Sequence, residues 1–203
     1  MKKLLLLSFL LIPTFCFGQK QKKEEILKLK IDTIENWLDT EYFKIDGDNI
    51  VASKVINDIQ GTKDELYIKV KNFFARYYND ANSVIQTDDK ESGTIIGKGF
   101  YGNLYYNLKS NKLFSCYHIL RVDIKDNRIR IICSVSDMGI YAFSWTDSYK
   151  IVNYAPFTRL SYPDSNWSQI DAFISLIRAM HFTIDSVEKT VKEGAIKGEN
   201  DDW

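Results

Sequence analysis

Apolar and polar residues alternate most regularly in SCYHILRVDIKDNRIRIICSVS, from Ser115 to Ser136. This alternation is typical of strands with one buried face, and Asp126-Asn127 suits a tight turn between two antiparallel strands. A register that pairs Lys125 with Arg128 sets Ile124 opposite Ile129, Val122 opposite Ile131, Leu120 opposite Cys133 and His118 opposite Val135. These eight residues then share the buried face of a β-hairpin.

The other face of this hairpin carries Tyr117, Ile119, Arg121, Asp123, Arg128, Arg130 and Ile132. Asp123 falls opposite Arg130, which predicts a cross-strand ion pair. Cys116 also points to the buried face, but it lies four residues along the strand from Leu120, the partner of Cys133. That separation is about 13 Å, which is beyond disulfide reach, so we predict two free, buried thiols.

Three stretches have the apolar spacing of helices. The first is an amphipathic helix over 21–43, with Leu27, Ile31, Ile34 and Leu38 on one face. The second starts at Thr62 and Glu65, which fit a capping box, and ends near Asp80. The third is SNWSQIDAFISLIRAMHFTIDSVEKTV, with Ser165 as N-cap and an apolar face of Ile170, Phe173, Ile174, Ile177, Met180, Ile184 and Val187.

Shorter β-prone runs complete the pattern. Asn49 to Ile56 reads as a strand, and SVIQTDD with GTIIGKGF reads as a hairpin. Gly99 to Lys112 is a loop or an irregular strand, and 143–164 is turn-rich with one short strand around Tyr149 to Tyr154. Together the elements predict an α+β fold, in which an antiparallel sheet is backed by helices.

The glycine-rich run GTIIGKG does not fit a nucleotide-binding loop. A P-loop requires G-x-x-x-x-G-K-[ST], whereas here three residues separate Gly93 from Gly97 and Gly99 follows the lysine. A dinucleotide fingerprint leads into a helix, but the residues around these glycines favour a strand. We expect Gly93 to relieve a turn, and Gly97 and Gly99 to allow a bulge or the close approach of another backbone.

The first eighteen residues, MKKLLLLSFLLIPTFCFG, have the pattern of a secretory signal peptide. Lys2 and Lys3 precede a short apolar run, and Cys16 and Gly18 are small residues where a signal peptidase cleaves. We therefore expect a periplasmic or secreted protein that begins at Gln19. Bulky Phe15 disfavours lipid anchoring at Cys16, and no later segment has the length and apolar character of a membrane span.

The charge of the expected exported chain is nearly balanced. Without Lys2 and Lys3 it has 27 − 2 = 25 basic side chains against 27 acidic ones. A nucleic-acid-binding protein normally carries a basic excess, so we expect no nucleic-acid partner.

The order GTKDELYIKVKNFFARYY, VIQTDDKESGTIIGKG and VDIKDNRIRI resembles an exported bacterial family, a domain of unknown function with a TATA-binding-protein-like fold. The resemblance covers roughly Asn49 to Ile140. It implies a curved antiparallel sheet with helices on one face, and it implies no reaction. The name of the fold does not imply DNA binding.

Candidate catalytic and metal-binding residues are few. His118 lies on an apolar strand face, where a hydrogen-bonded core histidine is the simpler interpretation, and His181 lies near the edge of an apolar helix face. Neither has the neighbouring ligands of a zinc site. Asp88, Asp89 and Glu91 lack the spacing of a calcium loop. We therefore expect no metal, no cofactor and no catalytic residue.

The exposed face of the sheet is the best candidate for function. Tyr117, Arg121 and Arg130, with Lys98 near them, combine an aromatic ring with cations and suit an anionic glycan or peptide. The added terminal helices could instead cover this face. The leading hypothesis is a non-enzymatic binding module for an envelope protein, peptide or glycan. An envelope enzyme with a site between the sheet and the added segments, and a structural subunit of an envelope assembly, stay open.

Four segments follow from these patterns: a signal peptide at 1–18, a helical extension at 19–46, an α+β domain at 47–142, and a loop and helix at 143–203 packed on that domain.

A pocket that brings together Asp88, His118 and Arg121 would favour the enzyme, whereas a broad, shallow aromatic and basic surface would favour the binding module.

Overall fold

The computed structural model describes residues 21–30, 32–34, 36–37, 42–46, 49–78, 80–109, 111–144, 147–156 and 167–193. The chain divides into a unit at 1–37 and a unit at 38–203. In the first unit the described residues from 21 to 37 are helical, and we label them α1. The predicted signal peptide, Cys16 and the predicted N-cap Ser165 lie outside the described residues.

Eight strands of the described chain form one sheet in the second unit, and every pair is antiparallel. They are β1 (Phe43–Asp46), β2 (Asn49–Asn57), β3 (Ile85–Asp89), β4 (Thr94–Asn107), β5 (Lys112–Lys125), β6 (Arg128–Val135), β7 (Asp137–Ser144) and β8 (Asp147–Pro156). Six of them follow the order β1-β2-β6-β5-β4-β3. The hairpin β7–β8 joins through β5.

Strand β5 is paired along both edges. One edge pairs with β4, and the other pairs with β6 over Ile119 to Lys125 and with β7 over Lys112 to Ser115. The chain steps from β6 to β7 at Ser136. One long strand therefore carries two shorter strands end to end along a single edge.

The β5–β6 register is the one predicted from the sequence, but the pairing ends at Ile119 and Ser134, before the predicted pair of His118 with Val135. Lys125 pairs with Arg128 around the turn, and the buried pairs are Ile124 with Ile129, Val122 with Ile131 and Leu120 with Cys133. Asn127 has a φ of +57°, which a tight hairpin turn requires. Cys116 and Cys133 are free and buried, as predicted.

The helices α2 (Lys63–Tyr77) and α4 (Trp167–Glu193) pack on one face of the sheet, here called the inner face. The predicted apolar face of α4 is buried at Ile170, Ile174, Ile177, Met180, Ile184 and Val187, while Phe173 is half-buried. The Oγ1 of Thr183 on α4 lies 2.7 Å from the hydroxyl of Tyr101 on β4. An antiparallel sheet with helices on one face is the predicted fold, and it is confirmed.

The start of α2 is held from two directions. Thr62 and Glu65 form the predicted capping box, in which each side chain accepts the backbone N–H of the other. From the β5–β6 turn, Asp126 Oδ1 accepts the N–H of Lys63 at 2.7 Å. The hairpin turn therefore satisfies a backbone donor of a helix that starts more than sixty residues earlier in the chain.

The glycines of GTIIGKG act through their small size. Gly93 has a φ of +72° in the turn before β4, as expected for a turn glycine. A Cβ at Gly97 would lie 2.5 Å from the ring of Phe74, and a Cβ at Gly99 would lie 2.5 Å from the rings of His118 and Tyr78. The expected close approach is thus made by aromatic side chains rather than by another backbone. A register shift in β3 also falls beside Gly97, between Ile85 and Thr87.

The structure differs from the sequence prediction at several element boundaries. The first helix does not reach Phe43, because Phe43 begins β1. Helix α2 ends at Tyr77, and a short helix α3 (Ala81–Val84) precedes β3. In the region 143–164, expected to be turn-rich, the predicted strand at 149–154 is part of β8. The strand β7, most of which precedes that region, was missed. The alternative of an irregular strand after Gly99 is correct, because β4 continues to Asn107 with an irregularity between Tyr101 and Tyr105.

Candidate functional site

The face of the sheet opposite α2 and α4 is rich in exposed rings, aliphatic groups and cations. We call it the open face and define it by Val55, Lys98, Phe100, Tyr117, Ile119, Arg121, Asp123, Lys125, Arg128 and Arg130. Strand alternation places these side chains on the side away from the buried core. The possibility that the C-terminal helix covers the open face is wrong, because α4 packs on the inner face.

Lys98 and Tyr117, two of the predicted site residues, lie together on β4 and β5. The Lys98 Nζ is 4.7 Å from the centroid of the Tyr117 ring, a cation–π distance. The Phe100 ring is 5.0 Å from the Tyr117 ring, at an angle of 53°. Tyr117 is 46% exposed and Phe100 is 48% exposed. We call Lys98, Phe100 and Tyr117 the Tyr117 cluster.

Arg121 and Arg130, the other two predicted residues, are joined through Asp123. Arg121 Nε donates to Asp123 Oδ1 at 2.8 Å, and Arg130 donates to Asp123 Oδ2 from Nε at 2.9 Å and from Nη2 at 2.6 Å. Partial burial favours the neutral carboxyl, but these hydrogen bonds outweigh it and hold the pKa of Asp123 below its usual range. The predicted ion pair of Asp123 with Arg130 is confirmed, and Arg121 joins it. We call these three residues the arginine cluster.

The two clusters are separate parts of one surface. Tyr117 and Arg121 are four residues apart on β5, which is about 13 Å along the strand. Three shallow depressions adjoin them. The first, of about 390 Å³, is called the depression beside Tyr117 and is lined by Asn49, Lys98, Tyr117, His118, Ile119, Ser134 and Ser136. The second, of about 300 Å³, is lined by Val55, Asp123, Lys125, Arg128, Ile129 and Arg130. The third, of about 340 Å³, lies towards α3 and is lined by Ser83, Val84, Gln86, Lys98, Gly99, Phe100 and Tyr117.

The depression beside Tyr117 lies where β5 changes its neighbouring strand from β6 to β7. Pairing with β6 ends at Ile119 and Ser134, and pairing with β7 begins at Ser115. The depression beside Tyr117 falls in this interval. Sequence alternation placed Tyr117 on the open face. Ser134 and Ser136 were not counted with it, although the β5–β6 register brings them near Tyr117 and Ile119. Asn49 was missed because its proximity depends on the pairing of β2 with β6.

His118 is a buried core residue, as the simpler interpretation of the sequence predicted. It is 1% exposed, its Nε2 lies 2.7 Å from the Tyr78 hydroxyl, and its ring stacks on Tyr101. Burial lowers the pKa of His118 to about 4. Burial likewise raises the pKa of the Cys133 thiol to about 12, so this thiol stays protonated and is a poor nucleophile.

Asp88 lies on the helix side of β3, away from Arg121. Its carboxylate accepts a hydrogen bond from Lys71 Nζ at 2.6 Å and another from the Tyr67 hydroxyl, and both donors are on α2. These hydrogen bonds, led by that from Lys71, lower the pKa of Asp88. The described structure therefore does not bring Asp88, His118 and Arg121 into one pocket, which was the arrangement that would favour an enzyme.

The remaining polar candidates have local partners. Asp89 accepts the N–H of Ser92 in the turn between β3 and β4, and His181 Nδ1 lies 3.0 Å from Asp185 on α4. Among the described residues, no group of three His, Cys, Asp or Glu side chains is placed to hold a metal ion. Within the described ranges, no helix has both the length and the apolar character needed to cross a bilayer.

Comparison with known proteins identifies the central part of the chain. Residues 53–135 match the family model described as "Domain of unknown function (DUF4468) with TBP-like fold". The resemblance predicted from the sequence is therefore confirmed for this segment. No curated protein matches the chain.

Two crystal structures match this chain over 76% and 78% of its length. A TBP-like protein from Parabacteroides distasonis ATCC 8503 has 18% identity and a TM-score of 0.51, and the match covers 76% of this chain and 97% of that chain. A DUF4468 family protein from Bacteroides ovatus ATCC 8483 has 13% identity and a TM-score of 0.49, with 78% and 95% covered. At this level of identity, the first similarity establishes the fold and nothing about the ligand.

Proposed function

We propose that this chain, whose residues 53–135 match a TBP-like domain of unknown function, is an exported, non-enzymatic module that binds an anionic partner through its open face. Export is supported by the basic and apolar start of the sequence, with Lys2 and Lys3 before the run from Leu4 to Ile12. The partner is an envelope protein, peptide or glycan.

The observation that carries the proposal is the composition of the open face. Lys98, Arg121, Lys125, Arg128 and Arg130 supply five cations around the carboxylate of Asp123. The pairing of Asp89 with Thr94 and of Asp46 with Asn49 places two further carboxylates on this side of the sheet, so the cations still outnumber the carboxylates. The whole chain is nearly neutral, so this surface concentrates positive charge rather than sharing a general excess. Local positive potential steers and selects an oppositely charged partner.

Exposed apolar groups lie among these cations. Phe100, Tyr117, Ile119 and Val55 are between 37% and 51% exposed. Tyr and Arg are the residue types that most often dominate binding energy at interfaces. A shallow surface that mixes rings with guanidinium groups matches a binding module better than a catalytic pocket.

A capture experiment tests the proposal. Chain beginning at Gln19 is immobilised and exposed to a detergent extract of the producing cells' envelope, and bound proteins and polysaccharides are both analysed. The test variant is Tyr117→Ala/Arg121→Ala/Arg130→Ala. The matched control, Phe182→Ala/Lys189→Ala/Lys192→Ala, removes one exposed ring and two lysines from α4.

The native chain and the control variant are expected to capture the same component, and the test variant is expected to lose it. Capture should weaken as salt is raised, because exposed charges are screened. A component retained equally by the test variant would place binding elsewhere and contradict the proposal. Thermal unfolding followed by circular dichroism checks that all three proteins are folded.

A further inference from the structure

We infer that the anionic partner of the open face is an acidic oligosaccharide, with a sugar unit at the polar depression beside Tyr117 and an acidic group at the arginine cluster. This inference rests on the proposed function and narrows its partner to one chemical class. Three features of the surface carry it: the lining of the depression, the fixed guanidinium groups and the paired backbone of the strands.

The depression beside Tyr117 has the side chains that suit a sugar. Asn49, Ser134 and Ser136 contribute an amide and two hydroxyls, which can both donate and accept hydrogen bonds. Sugar hydroxyls need partners of this kind, and the apolar C–H face of a sugar ring packs against an aromatic side chain. Lys98 and Phe100 contact the Tyr117 ring, so this ring is held in place before a ligand arrives.

The arginine cluster supplies oriented donors for an acidic group. A guanidinium has five N–H donors, and Asp123 takes one from Arg121 and two from Arg130. The remaining donors are available on side chains that are about half exposed. The planar fork of arginine matches carboxylate and sulfate groups. Because Asp123 already restricts the rotation of both guanidinium groups, an acidic ligand would not have to order them on binding.

The arginine cluster and its surroundings keep a net positive charge despite Asp123, and this charge favours an anionic ligand. Arg121 and Arg130 already outnumber this carboxylate, and Lys125 and Arg128 add two further cations beside the second depression. The distance of about 13 Å along β5 from Tyr117 to Arg121 exceeds the reach of a single sugar. An oligosaccharide that carries acidic groups can contact both ends.

A peptide fits the same surface less well. Extended peptides usually bind a sheet by pairing with the free backbone of an edge strand. The open face instead presents side chains from β2, β4, β5 and β6, each of which lies between two neighbouring strands. Ligands of such a face must bind through side chains, and the depression beside Tyr117 offers mainly polar ones.

Isothermal titration calorimetry with defined probes tests the inference. The chain from Gln19 is titrated with oligogalacturonate, with its fully methyl-esterified form, with a chondroitin sulfate oligosaccharide and with poly-L-glutamate. We expect at least one acidic oligosaccharide to bind. The methyl ester, which keeps the sugar and removes the charge, is expected to bind the chain about tenfold more weakly than the acid form.

The variants separate the two ends of the site. Tyr117→Ala and Arg121→Ala/Arg130→Ala are each expected to weaken oligosaccharide binding about tenfold, whereas Phe182→Ala/Lys189→Ala/Lys192→Ala leaves it unchanged. Failure of both acidic oligosaccharides to bind overturns the inference. Equal affinity for poly-L-glutamate, with the same loss in the variants, also overturns it and identifies an acidic polypeptide as the partner class.

These outcomes are distinct from failure of the proposed function. A protein captured from the envelope and lost in the Tyr117, Arg121 and Arg130 variant would keep the open face as a binding site even if no oligosaccharide binds. If nothing is captured and no acidic probe binds, both the proposed function and this inference fail.

Discussion

His118 lies flat against Tyr101, with ring centroids 3.8 Å apart and ring planes 15° from parallel. The pair is buried between the sheet and the helices. The Tyr78 hydroxyl forms a hydrogen bond with His118 Nε2. His118 Nδ1 is buried and has no hydrogen-bond partner among the described residues. Protonation of this ring would place a charge in a buried position, where the described residues provide no carboxylate to pair with it.

The stability of the fold is therefore expected to fall as the pH drops from about 6.5 to about 4. Burial lowers the pKa of His118 from 6.5 to about 4, so over this interval the unfolded chain binds a proton that the folded chain does not. The loss is at most about 3 kcal/mol when pH 4 is reached. Urea unfolding at pH 7, 6 and 5 measures it, and the histidine proton signals in NMR report the pKa directly.

His118→Gln should lose stability at neutral pH but should also flatten the pH dependence between 6.5 and 4.5. The control, His181→Gln, changes an exposed histidine and keeps the dependence. An NMR pKa above 6 for His118 would contradict the expectation. The carboxyls of Asp88, Asp123 and Glu188, whose pKa values are lowered, add a loss of stability in more acidic solution.

Gly99→Ala should destabilise the fold by roughly 1–3 kcal/mol, the usual cost of overpacking. The new methyl group would lie 2.5 Å from ring atoms of both His118 and Tyr78, and each ring is already held by the other. Gly102→Ala is the matched control on the same strand, because its nearest contact would be Phe100 at 3.5 Å. Equal urea midpoints for the two variants would show that the rings can move away.

Thr183→Val should cost about 1–3 kcal/mol. The Thr183 Oγ1 lies 2.7 Å from the Tyr101 hydroxyl and 3.1 Å from the Tyr77 hydroxyl, so its removal deprives two tyrosines of a partner. Thr190→Val removes a hydroxyl of α4 that donates only to the Ser186 carbonyl of the same helix, and it should have little effect. Denaturant titration of both variants gives the comparison, and similar losses would contradict the role of Thr183.

Asp126→Ala should destabilise the chain by about 1 kcal/mol, the typical cost of a lost helix cap. It removes the acceptor for the N–H of Lys63 at the start of α2. Lys125→Ala, at the neighbouring exposed position, should change stability little. Hydrogen exchange offers a second measurement, since faster exchange in the first turn of α2 is expected in the Asp126 variant alone.

Local sequence patterns predicted much of the sheet. The turn at Asp126-Asn127 fixed the β5–β6 register, and that register placed Tyr117, Arg121 and Arg130 on the open face. Residues paired across a β-hairpin are close in sequence, so alternation and turn residues are enough to determine their register. The capping box of α2 was predictable for the same reason.

Contacts between distant segments were not predictable. Asp126 accepts the N–H of Lys63, Tyr101 meets Thr183, and Asn49 lies near Ser134 only because β2 pairs with β6. Strand β1 was missed because it follows a helical pattern and has only four residues. Asn49 reaches the candidate site only through the distant pairing of β2 with β6, which no single run of residues encodes.

The pairing of β2 with β6 has a consequence for the order in which the chain folds. Ile50 pairs with Val135, a separation of 135 − 50 = 85 residues. During synthesis β2 emerges long before β6, so β1 can pair with one of its edges while the other edge stays open until the β4–β5–β6 meander is made. Non-local strand pairs of this kind slow folding and prolong exposure to aggregation. The meander can assemble from local contacts, so the second edge of β2 is the part of the central sheet that must wait for a distant segment.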